Sequence, residues 1–351
     1  MLSNFSSNAL LAKARAMYGR RLTKQNFTDL LNCQSVSEVT HYLKNDTDYS
    51  ATLAGINETE IHRGQLEARL KQRIFEDSAS LCRYELSVGE HFSWYLIARN
   101  EIDQILHSLM LLNAGTPEEY IFSMPRFLVK HTKINLTALS RIKTYEDLLD
   151  AVGHTPYRKI LEPFRPISGL TCNYTGIENA LYAYLYKNIF LLIDQYTHGE
   201  TTRQLKQIFQ SYIDLYNFVR IIRLKQFYHA GVDFIRSSLL PYGTISEKHL
   251  SDLISAETQE EMVAAMKRTT VGKKCLKLEL DKQYIDNITT RVQYLTCRRD
   301  IRFSTHPSVV MLSYIFLRQI ELSDIITIVE GIRYQLPSTE IAKMLTILNF
   351  E

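Results

Sequence analysis

Apolar residues recur at helical spacing along most of the chain. From Glu58 to Glu85, Leu66, Leu70, Ile74 and Leu81 share one face with many charges between them, and from Phe92 to Leu112 the stripe is Ile97, Ile102, Ile105, Leu109 and Leu112. The second run stops at Asn113-Ala114-Gly115, a glycine helix end. Further long helices are predicted over 177–196, 201–230, 281–297 and 308–334, with an opening helix around 9–17 and a short last one capped at Ser338/Thr339. Tyr182, Tyr184 and Tyr186 alternate as a strand would, but Ile177, Leu181, Leu185, Ile189 and Leu192 keep helical spacing over too long a run for a strand. Consecutive long helices cannot bury their stripes alone, so antiparallel pairs follow. The expected class is all-α.

Between these pairs one arrangement occurs three times. It runs from Leu30 to Leu53, Leu139 to Leu161 and Leu253 to Leu276. In each, a leucine precedes by five residues a hydroxyl residue (Ser35, Thr144, Thr258), and an acid stands three further on (Glu38, Asp147, Glu261). A hydroxyl and an acid so spaced can satisfy backbone N–H groups that a helix start leaves without partners. A single such match arises by chance; three in phase with other landmarks mean more, and the alternative is three unrelated short helices. A threonine follows (Thr47, Thr155, Thr270), then a leucine (Leu53, Leu161, Leu276), and the threonines are 108 and 115 residues apart. The second long helices align too, with Asn100, Asn217 and Asp324 each two residues before an apolar one (Ile102, Val219, Ile326), and Gly115 and Gly231 as terminating positions. Repetition near one third of the chain predicts three helical units, residues 1–115, 116–231 and 232–351.

Composition narrows the function classes. The 351 residues are 45% hydrophobic and 23% charged, and only 13 glycines and 8 prolines are present, which favours helix. A net charge of +3, from 41 basic against 38 acidic residues, is too small for a nucleic-acid track. Five scattered cysteines (Cys33, Cys82, Cys172, Cys275, Cys297) fit a reducing compartment. Residues 1–19 lack the build of a signal peptide, and the most lipid-like stretch, Ile177 to Ile193, is interrupted by Glu178, Asn179, Lys187 and Asn188, so no membrane crossing is expected. Gly272-Lys273-Lys274 lacks the rest of a phosphate loop, no G-x-G-x-x-G or H-E-x-x-H occurs, and no paired-aspartate motif is present. No catalytic, cofactor or metal residue is expected. Basic groups stand out instead: Arg20-Arg21, the set Arg220, Arg223 and Lys225 on one long helix, and Arg298, Arg299 and Arg302 in a connector. The bland reading is solvated surface charge; the sharper one, for Arg20, Arg21, Arg298, Arg299 and Arg302, is contact with another protein of a complex.

The segment from Ala12 to Tyr49 resembles the opening of the C subunits of archaeal and bacterial V-type ATPases and ATP synthases, whose eukaryotic counterpart is the d subunit. The resemblance rests on Ala14, Arg15, Tyr18, Gly19, Arg20 and Leu22, then Phe27, Leu30 and Leu31, then Thr47 and Tyr49. Leu317 to Ile341 is similar to the family's closing helix, with Ser323-Asp324 where an asparagine is more usual. The resemblance implies a funnel-shaped, pseudo-threefold, all-helical protein with no catalytic centre. Its implied place is the cytoplasmic face of the membrane, peripheral to it, on the proteolipid ring and receiving the central shaft made by the D and F subunits. Its implied function is that of a rotor coupling for ion transport. Two other classes compete. A helical-repeat adaptor would use many repeats of about 34 to 47 residues. An all-α enzyme would need a pocket of convergent acids.

Overall fold

The computed structural model describes residues 2–85, 89–167, 171–275 and 287–350, and all regular elements among them are helical. The first third holds α1 (Leu2–Gly19), α2 (Lys24–Leu31), α3 (Val36–Asp46), α4 (Arg63–Cys82) and α5 (Gly89–Ala114). The second holds α6 (Tyr120–Ser123), α7 (Leu136–Leu139), α8 (Tyr145–Val152), α9 (Pro156–Leu161), α10 (Tyr174–Tyr196) and α11 (Gly199–Gln226). The last holds α12 (Val232–Ser237), α13 (Glu247–Ser255), α14 (Gln259–Lys267), α15 (Thr270–Cys275), α16 (Ile288–Phe303), α17 (Pro307–Arg333), α18 (Ser338–Met344) and α19 (Thr346–Phe350).

All three capped starts form. Ser35, Thr144 and Thr258 are the N-caps of α3, α8 and α14, and their hydroxyls accept from the N–H of Glu38, Asp147 and Glu261 at 3.1, 3.2 and 3.2 Å. Asp147 and Glu261 accept in return from the cap N–H, at 2.9 and 3.3 Å, whereas Glu38 accepts one residue earlier, from Gln34 at 2.8 Å. The threonine register needs one correction. Thr155 Oγ1 donates to the Val152 carbonyl at 2.8 Å, and the matching residue in the third copy is Thr269, which donates to Met266 at 2.7 Å and accepts from Gly272 N–H at 3.0 Å. Thr270 is exposed, because the offset from Thr258 to the capping position equals that from Thr144 to Thr155. Leu276 lies outside the described residues.

The helices of the three long pairs, α4 and α5, α10 and α11, and α16 and α17, alternate in direction. Arg63 of α4 meets Glu330 of α17 at 2.6 Å, while Asp77, near the other end of α4, accepts from Tyr314 at 3.0 Å. Likewise α5 runs against α10, with the rings of His91 and Tyr196 stacked 3.8 Å apart at one end and Asn113 holding Cys172 at the other. Thr201 Oγ1 lies 2.8 Å from His306 Nδ1, and Phe209 packs on Phe316, so α11 and α17 run side by side in one direction. Nearly every face of α17 is buried, as its all-round apolar sequence requires. Most buried side chains form one core, and a second cluster lies between the C-terminal half of α11, α13, α14 and α16.

Three boundaries differ from the sequence reading. Gly115 ends α5 with φ +76°, Thr116 N–H reaching Leu111 carbonyl at 3.0 Å, but Gly231 is the N-cap of α12 rather than the end of α11. Pro337, not Ser338 or Thr339, precedes α18, and no side chain caps it. Finally, α16 continues to Phe303 because Ile301 extends the buried stripe of Tyr294 and Cys297, so Arg298, Arg299 and Arg302 lie on a helix and not in a connector.

Candidate functional site: three buried carboxylate nodes

Near the middle of each second long helix an acid sits where an apolar residue would pack. Glu101 on α5, Asp214 on α11 and Glu321 on α17 are 5%, 1% and 1% exposed. Burying a carboxylate is costly unless hydrogen bonds replace its water. Each is supplied from a segment that opens a short-helix pair. Glu101 accepts from Lys133 N–H and Thr132 Oγ1, both at 2.7 Å, just ahead of Asn135, the N-cap of α7. Asp214 accepts from Thr244 N–H at 2.7 Å and Ile245 N–H at 3.3 Å, just ahead of Ser246, the N-cap of α13. Glu321 accepts from Leu22 N–H at 3.0 Å, just ahead of Thr23, the N-cap of α2. The separations along the chain are 32, 30 and 299 residues, so the third contact joins the two ends of the chain.

Two nodes carry a tyrosine as well. Tyr157, two residues after Thr155, donates to Glu101 at 2.7 Å, and Tyr49, two after Thr47, donates to Glu321 at 2.7 Å. Burial and the neighbouring carboxylate push both phenols well above their ordinary value, so both remain donors. Glu321 also pairs with Arg318 at 2.6 Å, their side chains 2% and 3% exposed. Asp214 has a different accommodation: a Cβ at Gly243 would lie 2.3 Å from its Oδ1, so only glycine leaves room for this carboxylate.

Three residues beyond each acid stands a second polar residue, giving acid–apolar–x–polar–apolar–apolar at Glu101–Leu106, Asp214–Val219 and Glu321–Ile326. These residues bind chain that follows their own helix. Gln104 accepts from the Tyr120 hydroxyl at 2.9 Å; Asn217 accepts from Leu240 N–H and donates to its carbonyl, both at 2.8 Å; Asp324 accepts from Thr346 and Ile347 N–H at 3.0 and 2.7 Å. The partner of Asn217 and Asp324 in the first third is therefore Gln104. Asn100, expected from the sequence alignment, lies one turn earlier and donates back to the Leu96 carbonyl of its own helix at 2.7 Å. At the Ser323-Asp324 departure the polar contact is kept, with a carboxylate accepting two backbone N–H groups. The acids themselves were not singled out from the sequence. Their only local signal is an acid within an otherwise apolar helical stripe, repeated at the unit period.

The five arginines singled out from the sequence do not converge among the described residues. Exposed Arg20 lies 3.7 Å from Asp48, and Arg21 lies over the Tyr18 ring at 4.6 Å. Arg298 donates to the Phe350 carbonyl and covers Tyr294, holding the C-terminal helix in place. Arg299 pairs with the adjacent Asp300 at 2.8 Å, and Arg302 is exposed. Arg220 and Lys225 are also internal, to Glu178 and Ser238 and to the carbonyls of Ile254 and Ala256 respectively. No group of three or more metal-ligating side chains occurs among the described residues, and none of their helices is long and apolar enough to cross a membrane.

Compared with known proteins, residues 10–344 match the model of a family described as ATP synthase (C/AC39) subunit. The C subunit of the A-type ATP synthase of Methanosphaera stadtmanae is 24% identical over 216 residues, 61% of this chain and 53% of that protein. Its namesake in Methanosarcina mazei is 25% identical over 238 residues, 65% of this chain and 61% of that protein. The matched parts span less than two thirds of either relative's length.

Proposed function

Because this chain belongs to the ATP synthase (C/AC39) subunit family, we propose that it is the non-catalytic central-stalk component of a rotary A/V-type complex. In this reading it sits on the cytoplasmic face of the proteolipid ring, peripheral to the membrane, receives the shaft made by the D and F subunits, and passes torque between ATP chemistry and ion movement. The observation that supports it best is the set of three carboxylate nodes, with Glu321 tying Leu22 across the chain ends. A torque coupling needs low compliance. Interiors packed at crystal-like density transmit strain, and satisfied buried polar networks fix one arrangement of their helices. The recurrence of the node also supports three units at 1–115, 116–231 and 232–351, arranged as a pseudo-threefold funnel in which each short-helix pair hangs from the long helix of the preceding unit.

Arg20, Arg21, Arg299 and Arg302 remain the proposed contacts with ring or shaft; Arg298 has a structural load, so its reversal would disturb the C-terminus first. The test is recovery of a tagged full-length chain from detergent-solubilised membranes. Proteolipid, D and F proteins in fixed proportion support the reading, and a chain recovered without any of them contradicts it. Charge reversal at Arg299 and Arg302 together should lower recovery and raise its salt sensitivity while helical content is unchanged.

A further inference from the structure

A cavity of about 510 Å³ lies between α4, α5 and α17, within the size range of small-molecule pockets. Its α5 wall is a polar stripe, in which Arg99, Asp103 and His107 stand one turn apart with Asn100 and Gln104 beside them. A helix normally turns such a stripe to open water and its apolar stripe to its neighbours. Here the polar stripe faces other helices across a hollow, so each of its groups needs a partner inside that hollow.

Most of the lining finds one within the chain. Glu67, on the α4 wall, is held by Arg63 at 3.1 Å and Lys71 at 2.6 Å, so this acid is already neutralised. His107 meets the Ser123 hydroxyl at 3.2 Å, and Gln104 and Asn100 are engaged by Tyr120 and by Leu96. Two charges are left. Arg99 has five N–H donors and gives one hydrogen bond among the described residues, to the Tyr95 hydroxyl at 3.2 Å. Asp103 accepts on Oδ1 from Tyr182 at 3.0 Å, and its Oδ2 accepts from no group among the described residues. The two residues are four apart on one helix, the spacing at which opposite charges ordinarily meet, yet they form no ion pair within 4.0 Å. Water reaches Asp103, but desolvation by the surrounding chain raises its carboxyl above the ordinary value, so a cation beside it is held more strongly than in open solvent. The lining also has an apolar part, which includes Phe75 and Phe127 with their rings 5.5 Å apart.

A simple anion would satisfy Arg99 and be repelled by Asp103, and a simple cation would meet the reverse. A molecule that carries both signs on one carbon suits both groups and adds no net charge to the hollow. We propose that this cavity binds a small zwitterion of the α-amino-acid class, its carboxylate on the Arg99 fork, its ammonium on Asp103 and its side chain against Phe75 and Phe127. The proposal goes beyond the proposed function and does not depend on it. Calorimetric titration of the purified full-length chain with each standard L-amino acid is the test, and at least one should bind with a Kd below about 1 mM. For that amino acid, the methyl ester keeps only the ammonium and the N-acetyl derivative only the carboxylate. Each should bind wild type about tenfold or more weakly, because one charged group is left without its partner. Arg99→Gln should weaken the free amino acid by a similar factor and leave the ester unchanged, and Asp103→Asn should do the same with the N-acetyl derivative unchanged. If no standard amino acid binds at about 10 mM, Arg99 and Asp103 serve only each other and the proposal fails. It fails equally if the ester and the N-acetyl derivative bind wild type as tightly as the parent, a comparison that needs no variant to fold.

Discussion

The first two short-helix pairs and the third are held by the same device built from different residues. Glu101 and Glu321 each reach a backbone N–H and a tyrosine hydroxyl; Asp214, one methylene shorter, reaches backbone N–H groups and the Thr244 hydroxyl. Where the first two pairs have Tyr49 and Tyr157, the third has Val271, two residues after Thr269. Val271 packs in the second apolar cluster with Leu253, Met262, Met266 and Ile288. A tie that is polar in two units has been shifted toward apolar packing in the other. The position of a short-helix pair is thus specified by topology, while the balance between directional and non-directional contacts is free to vary.

The largest effect should come from Glu321→Ala, which strands the buried Arg318 charge as well as the Leu22 and Tyr49 donors. About 3 to 5 kcal/mol of stability should be lost, read from the midpoint of urea unfolding. Met266→Ala tests the other side of the comparison. Removing a buried methionine should cost about 2 to 5 kcal/mol, more than Asp214→Asn in the same module; the reverse order would mean that the third pair also depends mainly on its node. Tyr49→Phe and Tyr157→Phe remove one donor each and leave the carboxylates otherwise bonded, so each should cost about 1.5 to 3 kcal/mol. Equal stability of either variant and wild type would show that the hydroxyl adds nothing to that node.

A further effect depends on pH. Burial pushes the Asp324 carboxyl up to about 7, against the Thr346 and Ile347 N–H groups that favour its charged form. A folded-state value above the unfolded one, about 3.9, means that the folded protein binds this proton more tightly. Its contribution is therefore fully present below about pH 4 and is lost as pH rises to about 7. Asp324→Asn cannot titrate, so its melting temperature should rise relative to wild type between pH 4 and pH 7 and keep a constant offset above. An offset that does not change with pH would mean that Asp324 keeps its charge on burial.

Much of the architecture was legible because it is local. A hydroxyl three residues before an acid caps a helix using atoms of one turn, and a helical stripe needs only its own side chains, so the three caps and the long helices could be read directly. The nodes could not. Glu101, Asp214 and Glu321 look like ordinary helix acids until Lys133, Thr244 and Leu22 are brought beside them from 30 to 299 residues away. The same limit explains two register errors. Asn100 and Gln104 lie one turn apart on α5, and Thr269 and Thr270 are neighbours; only the Tyr120 and Met266 contacts distinguish them. Arg298 shows the converse, a charge that looks available in sequence and is taken up by the chain's own C-terminus.

Three separate carboxylates thus hold three separate short-helix pairs. Native-state hydrogen exchange at the amides of Leu22, Lys133 and Thr244 tests this most directly, comparing wild type with Glu321→Gln, Glu101→Gln and Asp214→Asn. All three amides should be protected in wild type, and each substitution should release its own amide and the short helices that follow it while the other two stay protected. Amides that exchange at the open-chain rate in wild type, or that are released together by any one substitution, would contradict the account.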